Sequence, residues 1–314
     1  MEPSPVNLVA AIAADQWGLF TTQQARAVGF SQSQLNWQSR PGGPFERVLR
    51  SVYRLRDFSA PVLQPLGAAL LARGPDAVAC GHSAGWALGL DGVEVGRIEM
   101  VVVGSGSHRR DGVHRGVLEP HQVVSMGPFR VTDPVTTLLD LAADLDDRRW
   151  EWSLEAALRK PWLALDDVLA ETTRRSQQHR SGAARAKRVL ALRPVKAKPT
   201  GSQLETEFLQ LIRPVREIPE PERQYPVSRH GRIEARLDFA WPALHAYTEV
   251  LGSQHRESLH YDANRETLIA ATLGWLASEV TAREIRRASR PTINRMIEFL
   301  GRASGRVSVG SLGT

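Results

Sequence analysis

The stretch from Arg236 to Gly252, R-L-D-F-A-W-P-A-L-H-A-Y-T-E-V-L-G, decides the fold of the C-terminal part of the chain. Its first half alternates apolar and polar residues, which predicts a half-buried β-strand. The apolar residues of one face are Leu237, Phe239 and Trp241. Pro242 ends this strand because it has no N–H to donate to a neighbour. A second apolar run, residues 246–251, follows at once, so the stretch predicts two antiparallel strands joined by a short turn.

Two acids lie within these strands, Asp238 in the first and Glu249 in the second. With the turn centred between Ala243 and Leu244, the two face each other at a Cβ separation of about 5 Å. Carboxylates that close repel each other unless a cation lies between them or one is protonated, and hard oxygen ligands suit Mg²⁺. A register shifted by one residue would place them on opposite faces. The stretch therefore predicts either a magnesium site or two acids without a function.

The composition is that of an ordinary globular protein. The chain has 314 residues, 42% hydrophobic and 24% charged, which predicts two or three domains. No apolar run approaches the roughly 20 residues of a membrane span, and the first seven residues lack the pattern of a signal peptide. The single cysteine, Cys80, excludes an internal disulfide and a cysteine-based zinc cluster. We therefore expect a cytoplasmic protein that does not contact a membrane.

The charge balance is basic, with 40 Lys and Arg against 34 Asp and Glu and a net charge of +6. Nearly all the basic residues are arginines, whose guanidinium group matches phosphate in a bidentate geometry. This favours a nucleic-acid partner. A GC-rich genome gives the same bias, because it raises the content of Arg and Ala. The positions of the arginines therefore carry more information than their number.

Residues 1–58 are predicted to form a winged helix-turn-helix. After a first helix that ends at Gly18, T-T-Q-Q and S-Q-S-Q each place a hydroxyl, Thr21 or Ser31, three residues before a glutamine. This is the capping-box pattern at the start of a helix. Gly29 between the two suits a tight turn. P-G-G-P then precedes two short alternating strands, which are predicted to form the wing.

The polar residues of the second helix and the arginines of the wing are the candidate DNA contacts. Amides and arginine read base edges, while arginines on a hairpin can lie along phosphates. The helix and its C-terminal end present Gln32, Gln34, Asn36, Gln38 and Arg40, and the wing carries Arg47, Arg50, Arg54 and Arg56. The alternative is a small helical domain whose second helix is merely polar.

Residues 59–171 are predicted to form a mixed α/β module, in which Asp133 caps a helix that begins at Pro134. Several of its polar residues do not form a recognisable nucleophile constellation, and we interpret each as structural: His82, Ser83, His114, His121 and Asp133. Residues 172–200 contain nine basic residues and no acid. They are predicted to form a solvated linker or exposed helix that adds phosphate contacts.

Residues 201–301 are predicted to form an α/β sandwich, before a disordered tail at residues 302–314. The order is helix, three-stranded meander, a helix over residues 262–273, a fourth strand and closing helices. Ser202 and Glu205 repeat the capping box at the first helix, so Glu205 also has a purely structural explanation. The predicted fold class of the whole chain is mixed α/β (α+β).

The order of this last domain, with one acid on its second strand and another on its third, resembles the PD-(D/E)XK nuclease fold. It looks most like the branch near the very-short-patch-repair endonucleases. The motifs that carry the resemblance are D-F-x-x-P at Asp238, E-V-x-G at Glu249, G-W at Gly274 and V-T-x-x-E-I at Val280. The resemblance implies that Asp238 and Glu249 hold Mg²⁺, with Glu205 as an accessory catalytic acid, for hydrolysis of a phosphodiester.

One position departs from this family. After the Glu-Val pair the family has an acid or a lysine, where this chain has Leu251. The departure removes a metal ligand or a positioning base. His255, just after Gly252, is a candidate catalytic residue for proton transfer or an ordinary loop residue. The resemblance therefore implies a nuclease fold with a weakened site.

The first 170 or so residues resemble the AbiE-type antitoxin regulators of actinobacteria, which join a winged helix to a second α/β module. Residues 82–90 and 131–142 match best. This resemblance implies double-stranded DNA as one partner and a cognate toxin protein as another. Three hypotheses follow: a DNA-binding regulator with a weakened nuclease domain, a Mg²⁺-dependent DNA endonuclease targeted by the winged helix, and a protein-binding antitoxin.

Overall fold

The computed structural model describes residues 4–104, 109–110, 112–252, 269 and 272–310. The fold is mixed α+β, as predicted, with 12 α-helices and three sheets in these ranges. The chain divides into two compact units, residues 1–145 with 171–183 and residues 146–170 with 184–314. Within the described ranges, no helix has the length and hydrophobicity that crossing a membrane requires.

Residues 4–58 form three helices and a three-stranded antiparallel sheet, the elements predicted for a winged helix. Both capping boxes are present, at Thr21 and Ser31. The predicted wing is confirmed as an antiparallel hairpin, and a three-residue strand that was not predicted pairs with its second strand. The elements are α1 (Pro5–Ala14), β1 (Leu19–Thr21), α2 (Thr22–Ala27), α3 (Gln32–Gln38), β2 (Phe45–Leu49) and β3 (Val52–Leu55). The core contains Phe20, Leu35, Phe45 and Tyr53.

The rest of the first unit is built on a six-stranded sheet in the order β6-β7-β5-β4-β9-β8. Asp133 caps α6, as predicted, by accepting hydrogen bonds from the N–H groups of Val135 and Thr136. Gly127, at φ 56°, turns the chain between two antiparallel strands. The elements are α4 (Gln64–Arg73), β4 (Ala77–Ala79), α5 (Gly81–Ala87), β5 (Met100–Val103), β6 (Arg109–Arg110), β7 (Val113–Gly116), β8 (Val123–Met126), β9 (Phe129–Thr132) and α6 (Pro134–Asp144).

The second unit contains a four-stranded sheet in the order β10-β11-β12-β13. Helices pack on it in one core cluster, and the helical residues Ile269 and Leu273 pack on it in another. The predicted three-stranded meander is confirmed, and β13 pairs parallel to β12. The strands are β10 (Glu222–Arg229), β11 (Arg232–Trp241), β12 (Ala246–Leu251) and β13 (Leu276–Thr281). The helices are α7 (Asp147–Leu158), α8 (Leu165–Gln177), α9 (Ala183–Leu190), α10 (Gln203–Ile212), α11 (Ala282–Arg287) and α12 (Ser289–Gly310); α8 and α9 also contribute residues to the first unit.

Two predicted segments near the C-terminus have different outcomes. The disordered tail predicted from residue 302 is wrong as far as Gly310, because α12 continues to that residue. The helix predicted over residues 262–273 lies mostly outside the described residues, and its described members, Ile269, Thr272 and Leu273, are helical.

The basic run at residues 172–200 is mostly helical, and much of its charge is neutralised. Arg175 is buried and bonds to Asp140 and Glu171. Arg193 is also buried, against Glu155. The expectation that this run stays solvated is wrong at these positions, because Asp140 and Glu155, both distant in sequence, fold against the arginines.

Candidate nucleic-acid interface and acidic site

Helix α3 presents a row of amides to solvent. Gln32 and Asn36 are exposed, and the Nε2 of Gln32 donates to the Oδ1 of Asn36 over 3.1 Å. The guanidinium of Arg26, on α2, donates to the Oε1 of Gln32 over 2.9 Å. These bonds fix the orientation of both amides. The predicted contacts Gln32 and Asn36 therefore lie together on one exposed face.

The other predicted contacts of α3 differ in their availability. The side chain of Gln34 closes the capping box by accepting from the N–H of Ser31 over 2.7 Å, so its carbonyl oxygen is already used. Gln38 is half-buried and Arg40 is exposed. The structure thus places Arg40 at the surface with the amide row and gives Gln34 a structural partner.

Trp37 is a surface residue of α3 that the sequence reasoning missed. It is 61% exposed, and the guanidinium carbon of Arg40 lies 3.3 Å from the centroid of its ring. A signal was available: Leu35 is the buried residue of α3, and two helical residues further on the side chain faces the opposite way. Trp37 therefore belongs to the candidate interface.

The arginines of the wing divide into structural and exposed ones. Arg47 donates to the carbonyl oxygens of Leu49 and Arg50 and so closes the tip of the hairpin. Arg54 forms a 2.7 Å ion pair with Glu46, which holds the pKa of that carboxyl below its ordinary value. Arg50 is exposed at the tip. Arg50 and Arg40 are therefore the predicted cations best placed to meet a polyanion.

The acidic site of the second unit lies where β11 meets β12. The register pairs Phe239 with Thr248, as the predicted turn requires, and the ladder ends at this pair, one residue short of Asp238 and Glu249. The Oδ2 of Asp238 accepts from the N–H of Val250 over 2.9 Å. Asp238 therefore joins the two strands through its side chain.

Glu205, on α10, lies close to Asp238. The Nε2 of Gln224 donates both to the Oε2 of Glu205, over 2.8 Å, and to the Oδ1 of Asp238, over 3.3 Å. Burial raises the pKa of Glu205 to about 7, and the charge of Asp238 adds to the rise. Gln224 was not predicted as a site residue, and its left-handed backbone, at φ 49°, has no sequence signal.

The predicted capping role of Glu205 needs a correction. Ser202 does cap α10, by accepting from the N–H of Glu205 over 3.2 Å. The Glu205 carboxylate, however, accepts from the N–H of Gly201 over 2.5 Å rather than from the N–H of Ser202. The capping box is therefore incomplete, and the carboxylate is turned toward Gln224.

The donor chemistry of this site fits a divalent cation, because two hard carboxylates, the buried Glu205 and the partly buried Asp238, bond to one nitrogen of Gln224. Among the described residues, no group of three or more His, Cys, Asp or Glu side chains is placed to hold a metal ion. An ion here would therefore depend on two carboxylates and on oxygens of its substrate. Leu251 pairs with Thr281 in the ladder, and His255 lies outside the described residues.

A polar cavity of about 550 Å³ lies in the first unit. Polar side chains that line it already have partners. The Nε2 of His82 lies 2.8 Å from Asp144, and the Nδ1 of His82 accepts from the N–H of Glu94 over 2.7 Å. Arg175 donates to Asp140 over 2.8 Å. These contacts agree with the interpretation of His82 as a structural residue and give the cavity no evident ligand.

Comparison with known proteins gives relatives whose function is uncharacterized. No family model matches the chain. Two curated proteins of Mycobacterium tuberculosis, from two strains and both described as uncharacterized, are 28% identical to the chain over 286 residues. The alignment covers 87% of this chain and 98% of each relative. The similarity therefore extends across both units.

Proposed function

We propose that this protein binds double-stranded DNA through its winged helix and acts as a transcriptional regulator. The observation that carries the proposal is the exposed, hydrogen-bonded amide row of α3, flanked by Arg40 and by the basic tip of the wing. Such a helix fits the major groove, where Asn and Gln match adenine and Arg matches guanine. The wing would contact phosphates, which position the protein without reading sequence.

Replacing Arg50 with Ala is expected to weaken binding to DNA and to reduce the slope of log affinity against log salt by about 1, the effect of one lost phosphate contact. Gel shifts with the fragment upstream of its own gene, from about 50 to 200 mM salt, measure this slope. Arg73→Ala is the matched control, because Arg73 is exposed at the end of α4 in the same unit.

An equal slope in the wild-type and Arg50→Ala proteins would show that the wing does not touch phosphate. Failure of the wild-type protein to bind this fragment at low salt would contradict the proposed function itself. If Arg73→Ala protein loses as much DNA affinity as Arg50→Ala protein, net charge rather than the wing drives association.

A second candidate function is Mg²⁺-dependent hydrolysis of a DNA phosphodiester. The observation that favours it is the pair of carboxylates, Glu205 and Asp238, within hydrogen-bond distance of one nitrogen of Gln224. Asp238 and Glu249 would hold the ion, with Glu205 as an accessory acid. A bound Mg²⁺ would supply an activated water and stabilise the leaving oxygen. Leu251 argues for a slow enzyme. A cognate toxin remains a prediction of the resemblance alone.

Wild-type protein is expected to nick supercoiled plasmid in the presence of Mg²⁺, and Asp238→Ala protein to be slower by at least about 100-fold. The magnitude follows because even the indirect partners of a metal contribute 10- to 100-fold. Glu234→Ala is the matched control, since Glu234 is an exposed acid on the same strand. Equal nicking by the wild-type and Asp238→Ala proteins would assign the activity to a contaminant and reject this candidate.

A further inference from the structure

Within residues 4–58, all of which the structure describes, two large apolar side chains are exposed: Trp37 at 61% and Leu49 at 41%. They lie on α3 and at the tip of the wing, the two elements proposed to meet DNA. Single exposed apolar residues are common on protein surfaces. A tryptophan is unusual among them, because it is the largest apolar side chain and is highly buried on average. The exposure of Trp37 on α3 therefore indicates that its ring binds a partner.

The ring of Trp37 is held in place before any partner arrives. Arg40, three residues further along the chain, stacks on it with the guanidinium carbon 3.3 Å from the ring centroid. Arg40 lies just beyond the C-terminal end of α3, whose C-cap is Ser39. The contact is a cation–π interaction, which also keeps the positive charge beside the ring. Binding through Trp37 would thus lose little side-chain freedom.

The amide next to Trp37 is also oriented. Gln32 donates to the Oδ1 of Asn36 over 3.1 Å, and Arg26 fixes Gln32 in turn over 2.9 Å. The amide nitrogen of Asn36 is then directed away from Gln32, as a donor. An Asn amide that donates to N7 and accepts from N6 is the common reader of adenine. The amide row therefore points to A·T base pairs.

We propose that Trp37 packs against thymine methyl groups in the major groove, beside an adenine that Asn36 reads. The proposal rests on the DNA binding proposed above. Thymine C5-methyl is the apolar group that an A·T pair presents in this groove, and consecutive residues of one exposed helix face reach the same groove. The local charge favours DNA over a protein partner, because Arg40 lies on the ring, Arg26 bonds to Gln32 of the same helix and α3 itself contains no acid.

The test uses the fragment upstream of its own gene, amplified with either dTTP or dUTP so that the two probes differ only in the thymine methyl groups. Wild-type protein is expected to bind the thymine probe about 4- to 15-fold more tightly, the effect of burying one or two methyl groups. Trp37→Ala protein is expected to bind the thymine probe more weakly and to prefer it by less than about 2-fold. Trp37→Phe keeps a ring and is expected to retain part of the preference.

The outcomes separate this inference from the proposed function. Equal binding of both probes by the wild-type protein overturns the role of Trp37 and leaves DNA binding intact. A preference that survives in Trp37→Ala protein also overturns it, because the methyl groups are then sensed elsewhere. If the wild-type protein binds neither probe at low salt, DNA binding is wrong and the inference falls with it. Circular dichroism establishes that both variants are folded.

Discussion

Glu155→Ala protein is expected to lose about 3–5 kcal/mol of the free energy of unfolding of the second unit, the cost of removing one partner from a buried ionic cluster. Glu155 is 1% exposed on α7. Its Oε1 accepts from Arg193 and, over 3.2 Å, from Arg223. Its Oε2 accepts from the N–H of Thr200 over 2.9 Å. Without this carboxylate, two buried guanidinium groups would lose the acid that they share.

The surroundings of the two arginines leave little room for relaxation. The Nε atoms of Arg193 and Arg223 are buried and have no hydrogen-bond partner in the described part of the chain. Burial already lowers the pKa of Arg193, and the charge of Arg223 lowers it further. Arg223 keeps one other acid, Glu220, at 3.2 Å, and Glu220 is more exposed than Glu155. The remaining charges therefore cannot be neutralised by a small movement.

Urea unfolding followed by tryptophan fluorescence measures the change, with Asp147→Ala as the matched control. Asp147 is an acid of the same helix that binds Arg185 and Arg188 at the surface. Exposed pairs of this kind contribute about 0–1 kcal/mol. A loss in Glu155→Ala protein no larger than that of the control would show that water reaches the cluster and that Glu155 does not hold the unit together.

The helices of residues 4–58 were predictable because their signals are local. Thr21 and Ser31 each bond to a glutamine three residues away, so the sequence contains both partners of each capping box. The turn after β11 was predictable for the same reason, since Pro242 ends the strand and the length of the turn sets the register of Phe239 against Thr248. Strand β1 was missed because three residues pair with β3 across the intervening helices, and such a short strand has no periodicity.

The remaining features of the sites depend on contacts between distant residues. Gln224 joins Glu205 to Asp238 from a position in β10 where its backbone is left-handed. Glycine adopts this conformation readily, but a glutamine does not predict it. The basic run was expected to face solvent because it contains no acid. Its partners, Asp140, Asp147 and Glu155, come from helices earlier in the chain. Charge patterning along a sequence cannot show such pairs.

Between about pH 5 and pH 8, the free energy of unfolding of the second unit is expected to fall by up to about 3 kcal/mol through Glu205 alone. The pKa of Glu205 is about 7 in the folded protein, against an ordinary value of 4.5. The folded state therefore holds this proton more tightly than the unfolded state. The stabilisation is complete below pH 4.5, decreases as the pH rises toward 7 and is lost above it, where the folded protein contains a buried, ionised Glu205 beside Asp238.

Urea unfolding at a series of pH values measures this fall. Glu205→Gln is expected to abolish the part of the fall that Glu205 causes, because the amide does not titrate. Asp238→Asn is expected to reduce the fall, since the charge of Asp238 is the second cause of the raised pKa after burial. Glu234→Gln, an exposed change on the same strand, is the control and should leave the pH dependence as it is. Curves for the wild-type and Glu205→Gln proteins that run parallel from pH 5 to pH 8 would contradict the prediction, because Glu205 would then titrate like an exposed carboxyl and the two acids would not share one buried site.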